Sequence, residues 1–227
     1  MKVELISKSV GVGSYSDIDL EQIIAAIARH GTIKEDNGKL VKYLMDHKHW
    51  SPLQHIFFGF KIQTSRAISA QIFRHRSLHF QETSQRYQKI TEFEDIEIRQ
   101  QHKSNRQSSS ETFNPVLYKE SQPETGEYEV TAQMEIDTVL EHVKHCYNNL
   151  IEAGVAKECA RMILPMCSST TIHVSGTLRD LLAFLNIRVE QHSQKEVRDI
   201  ATAMGECLEK ELPNIFSSID WRNGLFM

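Results

Sequence analysis

No run of apolar residues in the sequence approaches the ~20 needed to cross a bilayer as a helix, so no segment reads as a membrane-spanning helix. A basic excess is missing too. The formal net charge is -4, which argues against a general nucleic-acid binder, since such proteins are usually basic overall. The four cysteines (Cys146, Cys159, Cys167 and Cys207) show no Cys-x-x-Cys or other ligand-like spacing, which argues against a disulfide framework and against structural zinc. Cys146, Cys159 and Cys207 fall in apolar helical patterns, where a reduced, buried thiol is expected. There is no GxGxxG, no GxxxxGK[ST], no HExxH and no Gly-x-Ser-x-Gly, so the usual marks of a dinucleotide fold, a P-loop, a zinc protease and a hydrolase elbow are all absent. Met1 to Ile6 alternates like a strand and lacks the apolar stretch and cleavage site of a signal peptide. The expectation is a cytoplasmic protein with no metal site.

What is present has the balance of a soluble globular chain: 40% hydrophobic and 25% charged residues. At 227 residues it can build one sizeable core, or at most two small ones. Positive charge is concentrated locally, around Arg66, Arg74, Arg76 and Arg86, a pattern that suits a small anionic ligand better than a polymer.

Periodicity predicts a strand over 2–9 and a helix carrying Leu20, Ile23, Ile24 and Ile27, capped by Asp17 or Asp19. A second helix follows over 39–47. Ile56, Phe58, Phe60 and Ile62 alternate with their neighbours as in a strand with one buried face. A short helix over 67–73 leads to the arginine cluster, which is placed on the loop leaving it. Residues 99–131 are polar and poor in large apolar side chains, and read as a disordered segment or a functional lid. Further helices are expected around 136–150, 155–164, 178–189 and 197–208, with a strand over 168–175. Strands at the start, near 60, near 90 and near 170, interleaved with more numerous helices, predict an α+β fold. One domain over 1–227 is expected.

The chemistry concentrates between Arg74 and Tyr87. These fourteen residues hold three arginines, two histidines, Glu82 and the hydroxyls of Ser77 and Ser84. A guanidinium presents five donors in a fixed fork and keeps its charge, so three close together ask for a multiply charged acceptor such as a phosphate. A basic helix end is also favoured by the helix dipole with no ligand at all, although that does not account for Glu82, Ser84 and Arg86 beyond the end. Three further groups stand out. His55 opens the alternating strand, Arg161 interrupts the apolar pattern before Leu164-Pro165, and Arg188 and His192 are spaced to share one helix face. Each also fits an ordinary exposed position. Cys167, at a strand start, is the one cysteine considered for reactivity, and nothing near it in sequence lowers its pKa.

The spacing Arg74-His75-Arg76, seven residues, then Ser84, with Glu82 before and Arg86-Tyr87 after, resembles the signature of flavin-dependent thymidylate synthases. Two more elements match that family's pattern in the expected order: Ala160-Arg161-Met162-Ile163-Leu164-Pro165, and Asn186 through His192. The resemblance therefore covers most of the chain. Where the family's usual motif has Ser and Asn, this sequence has His79 and Gln81. Ala183 stands where an asparagine is frequent, and Phe57 where a small hydroxyl residue is frequent.

The resemblance implies an antiparallel sheet flanked by helices in a homotetramer with shared active sites. It implies methylation of dUMP to dTMP with methylenetetrahydrofolate as carbon donor, FAD as hydride carrier and NADPH as reductant. It places dUMP against Gln71, Arg74, Glu82, Ser84, Gln85, Arg86, Arg161 and Arg188, with Arg188 catalytic. It places FAD against His55, Arg74, His75, Arg76, Glu82, Thr177, Leu178, Arg179 and His192. The partners implied are small molecules and copies of the chain itself, with no nucleic-acid polymer and no membrane. Two other readings stay open: a non-catalytic nucleotide- or nucleic-acid-binding module using the 74–87 cluster as a phosphate patch, and a flavoprotein of the same fold without methyl transfer.

Overall fold

A computed structural model describes residues 1–34, 38–122, 126–224 and 226–227. Strand β1 (Lys2–Lys8) leads to α1 (Leu20–Ala28) and α2 (Gly38–Asp46), then β2 (Phe57–Ser65), α3 (Arg66–Ile72) and β3 (His79–Glu82). Four short strands follow: β4 (Arg99–Gln101), β5 (Ser109–Thr112), β6 (Val116–Gln122) and β7 (Gly126–Thr131). The chain continues through α4 (Ala132–Glu152), α5 (Lys157–Ala160), β8 (Ser169–Thr177), α6 (Leu178–Arg188), α7 (Lys195–Glu211) and α8 (Pro213–Ser217). Mixed helix and sheet, with antiparallel pairs, is the α+β class expected. The chain divides into two compact units.

The first unit comprises residues 1–64, 68–82 and 171–227. Its sheet has the order β1-β2-β8-β3, with β1 antiparallel to β2 and β3 antiparallel to β8. The alternation read in β2 places Phe58, Phe60 and Ile62 in the core, at 1%, 0% and 0% exposure. They join Ile172 and Val174 of β8, Leu181 and Leu185 of α6, and Ile200 and Met204 of α7 in one cluster. Each fully buried side chain of this kind contributes about 1.5–3 kcal/mol. Asp19 caps α1 in a capping box, its carboxylate accepting from the Gln22 amide while the Gln22 side chain accepts from the Asp19 amide. Gly205 of α7 lets the Trp221 ring lie directly on the helix, since a Cβ there would stand 2.1 Å from a ring carbon.

The second unit comprises residues 65–67 and 83–170. Its small core gathers Ile90, Tyr147 and Ala160, with Phe93, Leu150, Val155 and Leu164 packed against them. The Tyr147 hydroxyl accepts from the Ile90 amide at 3.3 Å. Thr131 caps α4, its hydroxyl accepting from the Met134 amide.

Four expectations need correction. The polar stretch 99–131 forms two antiparallel hairpins, β4–β5 and β6–β7, over its described residues; positions 123–125 of the expected loop lie outside them. Tyr118 pairs with Val130 across β6–β7, so β-branched and aromatic residues in short runs outweigh the polar average. The helix expected over 155–164 is only α5 followed by a single 3₁₀ turn, Arg161–Ile163, before Pro165. The strand expected near 90 is β3, beginning at His79, with one bridge from Phe93 to Ser168 further on. Cys159 is exposed rather than buried, because α5 is too short to turn that position inward.

Candidate active site

In the first unit, α3 ends at Ile72 and the chain turns through Arg74-His75-Arg76 before entering the edge strand β3, so the cluster lies on the loop leaving the helix as expected. Two sequence-distant residues meet here. Arg188, the last residue of α6, donates from Nε to Nε2 of His75 at 2.7 Å. That bond requires a neutral imidazole with its proton on Nδ1. Burial, and then the Arg188 charge, lower the His75 pKa to about 4, which keeps it neutral. The His75 ring also packs edge-on against Phe184, one turn before Arg188 on α6, which fixes the imidazole plane. Burial and the neighbouring Arg74 charge lower the Arg188 pKa, yet a guanidinium stays cationic at neutral pH. Among the described residues no carboxylate pairs with Arg74, Arg76, Arg179 or Arg188. Two like charges held without a counter-ion among the described residues, one of them half-buried, suit an anionic ligand.

The other first-unit positions are more dispersed. Gln71 donates to the side chain of Gln194. Glu82 accepts from the Ser69 hydroxyl at 2.7 Å, which holds its carboxylate at the end of β3. His55 is exposed at the end of a 3₁₀ turn. Thr177 caps α6: its hydroxyl accepts from the Asp180 amide and donates to the Asp180 carboxylate at 2.6 Å. Leu178 is fully buried and its amide donates to the Ile56 carbonyl, so its side chain belongs to the core, whereas Arg179 is exposed.

The expected helix face shared by Arg188 and His192 does not exist. The helix ends at Arg188, and His192 lies exposed in the following turn. Asn186 is used structurally, its Oδ1 accepting from the amides of Phe226 and Met227. His79 and Gln81 are both on the exposed face of β3, opposite Ser175 and His173.

In the second unit, Ser84 and its neighbours form a tight turn. The Ser84 carbonyl accepts from the amides of Tyr87 and Gln88, and Gln85 within the turn is buried. Lys157 donates from Nζ to the Tyr87 carbonyl at 2.8 Å, tying the turn to the start of α5. Arg86 forms an exposed ion pair with Glu158 at 3.1 Å. Ser84, Arg86, Tyr87, Ala156, Lys157 and Glu158 line an open cleft of about 370 Å³. Arg161 is half-buried on the adjoining 3₁₀ turn and has no ion-pair partner among the described residues. Sequence reading missed Lys157 and Glu158. The available signal was a cation and an anion one helical turn before Arg161. Burial raises the Cys167 pKa and favours the thiol over the thiolate.

A flavin nucleotide carries a diphosphate, so its site needs cations not already neutralised from within. Exposed Arg74, Arg76 and Arg179 meet that requirement, and Arg179 lies at the N-terminal end of α6, where the helix dipole also favours anions. The residues present fit the group.

The sequence profile of the thymidylate synthase complementing protein family matches residues 8–214. A probable flavin-dependent thymidylate synthase of Paramecium bursaria Chlorella virus 1 is 38% identical over 207 residues, covering 88% of this chain and 91% of that protein. The flavin-dependent thymidylate synthase of Synechocystis is 34% identical, covering 88% and 90% respectively. That of Kosmotoga olearia is 32% identical, covering 86% and 82%. A profile match over nearly the whole chain, joined to relatives above 30% identity that are covered almost end to end, places this chain in the family of flavin-dependent thymidylate synthases.

Proposed function

We propose that the protein methylates dUMP reductively to dTMP, with methylenetetrahydrofolate as carbon donor, FAD as hydride carrier and NADPH as reductant. The observation that carries this reading is Arg188, a half-buried guanidinium without a carboxylate partner among the described residues, oriented by neutral His75. A fixed cation at a uracil ring favours loss of the N3 proton and stabilises negative charge as the ring accepts hydride. His75 holds the Arg188 fork in one orientation without adding a competing charge. Ser84, Arg86 and Arg161 bind the dianionic phosphate by charge-assisted bonds, each worth roughly 1.5–3 kcal/mol. Gln71, Arg74, Glu82 and Gln85 are the further residues assigned to the nucleotide, and Glu82 can accept hydrogen bonds from the sugar or base. When bound, the flavin supplies the two-electron redox chemistry. His55, Arg74, His75, Arg76, Glu82, Thr177, Arg179 and His192 hold it, and Leu178 contributes only by placing its neighbours. Ser84 has no base beside it among the described residues and binds rather than attacks.

The reading includes a homotetramer with shared sites. Tyr87, Met162 and Met166, at 79%, 78% and 60% exposure, leave apolar surface in the second unit for a partner copy to cover. It also includes a single folding domain, because the chain passes between the two units four times. No helix among the described residues is long and apolar enough to cross a membrane, and a cytoplasmic location remains part of the proposal.

The test is the visible spectrum of the purified protein, followed by turnover. Flavin bands that bleach with NADPH and respond to dUMP, and dTMP formation that needs methylenetetrahydrofolate, are expected. A colourless protein that fails to take up FAD would overturn the reading in favour of a binding module. A flavoprotein that makes no dTMP would overturn the methyl transfer alone.

A further inference from the structure

The cleft beside the Ser84 turn holds a feature that nucleotide binding alone does not require. Arg86, a cation assigned to the substrate phosphate, is engaged by a carboxylate of the same chain. Glu158 comes from the first turn of α5, next to Lys157, whose ammonium is committed to the Tyr87 carbonyl. Lys157 thus holds the turn while Glu158 holds the guanidinium, and both line one cleft with Ser84.

We propose that Glu158 is a positioning residue for the nucleotide phosphate: it holds Arg86 in the cleft as an internal substitute for phosphate and is displaced when the more highly charged phosphate arrives. This rests on Arg86 facing the substrate phosphate. A carboxylate brings one negative charge, whereas a phosphate monoester above its second pKa, near 6, brings close to two and three acceptor oxygens. A dianion displaces Glu158 from Arg86. A neutral nucleoside does not compete for Arg86, so Glu158 lowers affinity only for ligands that carry the phosphate. Both partners of the pair are more than half exposed, at 66% and 55%, so the pair is weak enough to open. Its cost to binding is that of any competent state that is only partly populated: apparent affinity is reduced by the fraction of Arg86 that is free.

The experiment is calorimetric titration of the flavin-loaded protein and of its Glu158→Gln variant with dUMP, deoxyuridine and inorganic phosphate, at low and at high salt. Glutamine keeps size and hydrogen-bonding capacity but removes the charge, and the position is exposed, so folding is unaffected. The dUMP Kd is expected to fall about two- to five-fold in the variant, the range of a surface ion pair, with a smaller gain at high salt. Inorganic phosphate gains similarly, and deoxyuridine is unchanged. An unchanged or weaker dUMP affinity in the variant overturns the role of Glu158 and leaves the enzymatic reading standing. Equal gains for dUMP and deoxyuridine overturn it too, since the effect then does not pass through phosphate. Wild-type protein that binds none of the three overturns the enzymatic reading and this role with it.

Discussion

His75 offers a direct test of the Arg188 geometry. Its pKa in the folded protein is about 4, against 6.5 for an ordinary histidine, because it is buried and faces a cation. As pH falls through 6.5 the unfolded chain takes up a proton at this position, while the folded chain does not until about pH 4. The unfolded state then binds more protons, so stability falls with acid across that window and is fully present above it. Between pH 7 and pH 5 the full linkage would be about 2 kcal/mol. His75 is only half-buried, and solvent screening reduces the expectation to about 1 kcal/mol. The perturbation is His75→Gln, which keeps a neutral acceptor for Arg188 and cannot titrate. Urea denaturation of both proteins at the two pH values isolates the term, since every other titrating group is shared. The wild type should lose about 1 kcal/mol more than the variant on going from pH 7 to pH 5. Equal losses would refute the buried, neutral imidazole, and so would a His75 ring resonance that titrates near 6.5.

Other substitutions separate the roles assigned above. Arg188→Ala should lower turnover at least ~100-fold, the scale of a lost electrostatic stabiliser, with flavin absorbance and circular dichroism retained; near-normal turnover would remove Arg188 from the chemistry. Arg161→Ala should raise the dUMP KM roughly ten-fold, the equivalent of one charge-assisted bond, with kcat much less changed, and an unaltered KM would count against its phosphate role. Gly205→Ala drives a methyl group into the Trp221 ring and should cost about 1–3 kcal/mol, seen as a lowered Tm; an unchanged Tm would mean that the ring has room to move.

Elements whose residues repeat with one period were readable because burial enforces that period. Phe58, Phe60 and Ile62 must all reach the same core, and any slip by one residue would expose the whole set. The same holds for Leu181 and Leu185 of α6 and for Ile200 and Met204 of α7. The β6–β7 hairpin was not readable as structure because its alternation serves no deep core. Val116, Leu117 and Tyr118 are exposed, and pairing is local, so the composition there resembles a loop. Helix ends failed for a related reason. Nothing in Asn186 to His192 marks the stop at Arg188, since the residue after the end, Val189, is itself buried and continues the apolar pattern.

The site was legible to different depths for the same physical reason. A cluster such as Arg74-His75-Arg76 is local, so its chemistry is visible in the linear sequence. The bond that gives it direction joins His75 to Arg188 across 113 positions. Sequence can propose both residues, but the tautomer of one and the orientation of the other exist only once α6 packs against the loop after α3. Glu158 shows the converse. On its own it is an ordinary acid in the first turn of a helix, where the dipole favours one. Only when α5 is set beside the Ser84 turn does it become the ion-pair partner of Arg86, the cation proposed for the phosphate. Residue types thus suggest the ligand class, and the contacts between distant segments determine how freely each charge is offered to it.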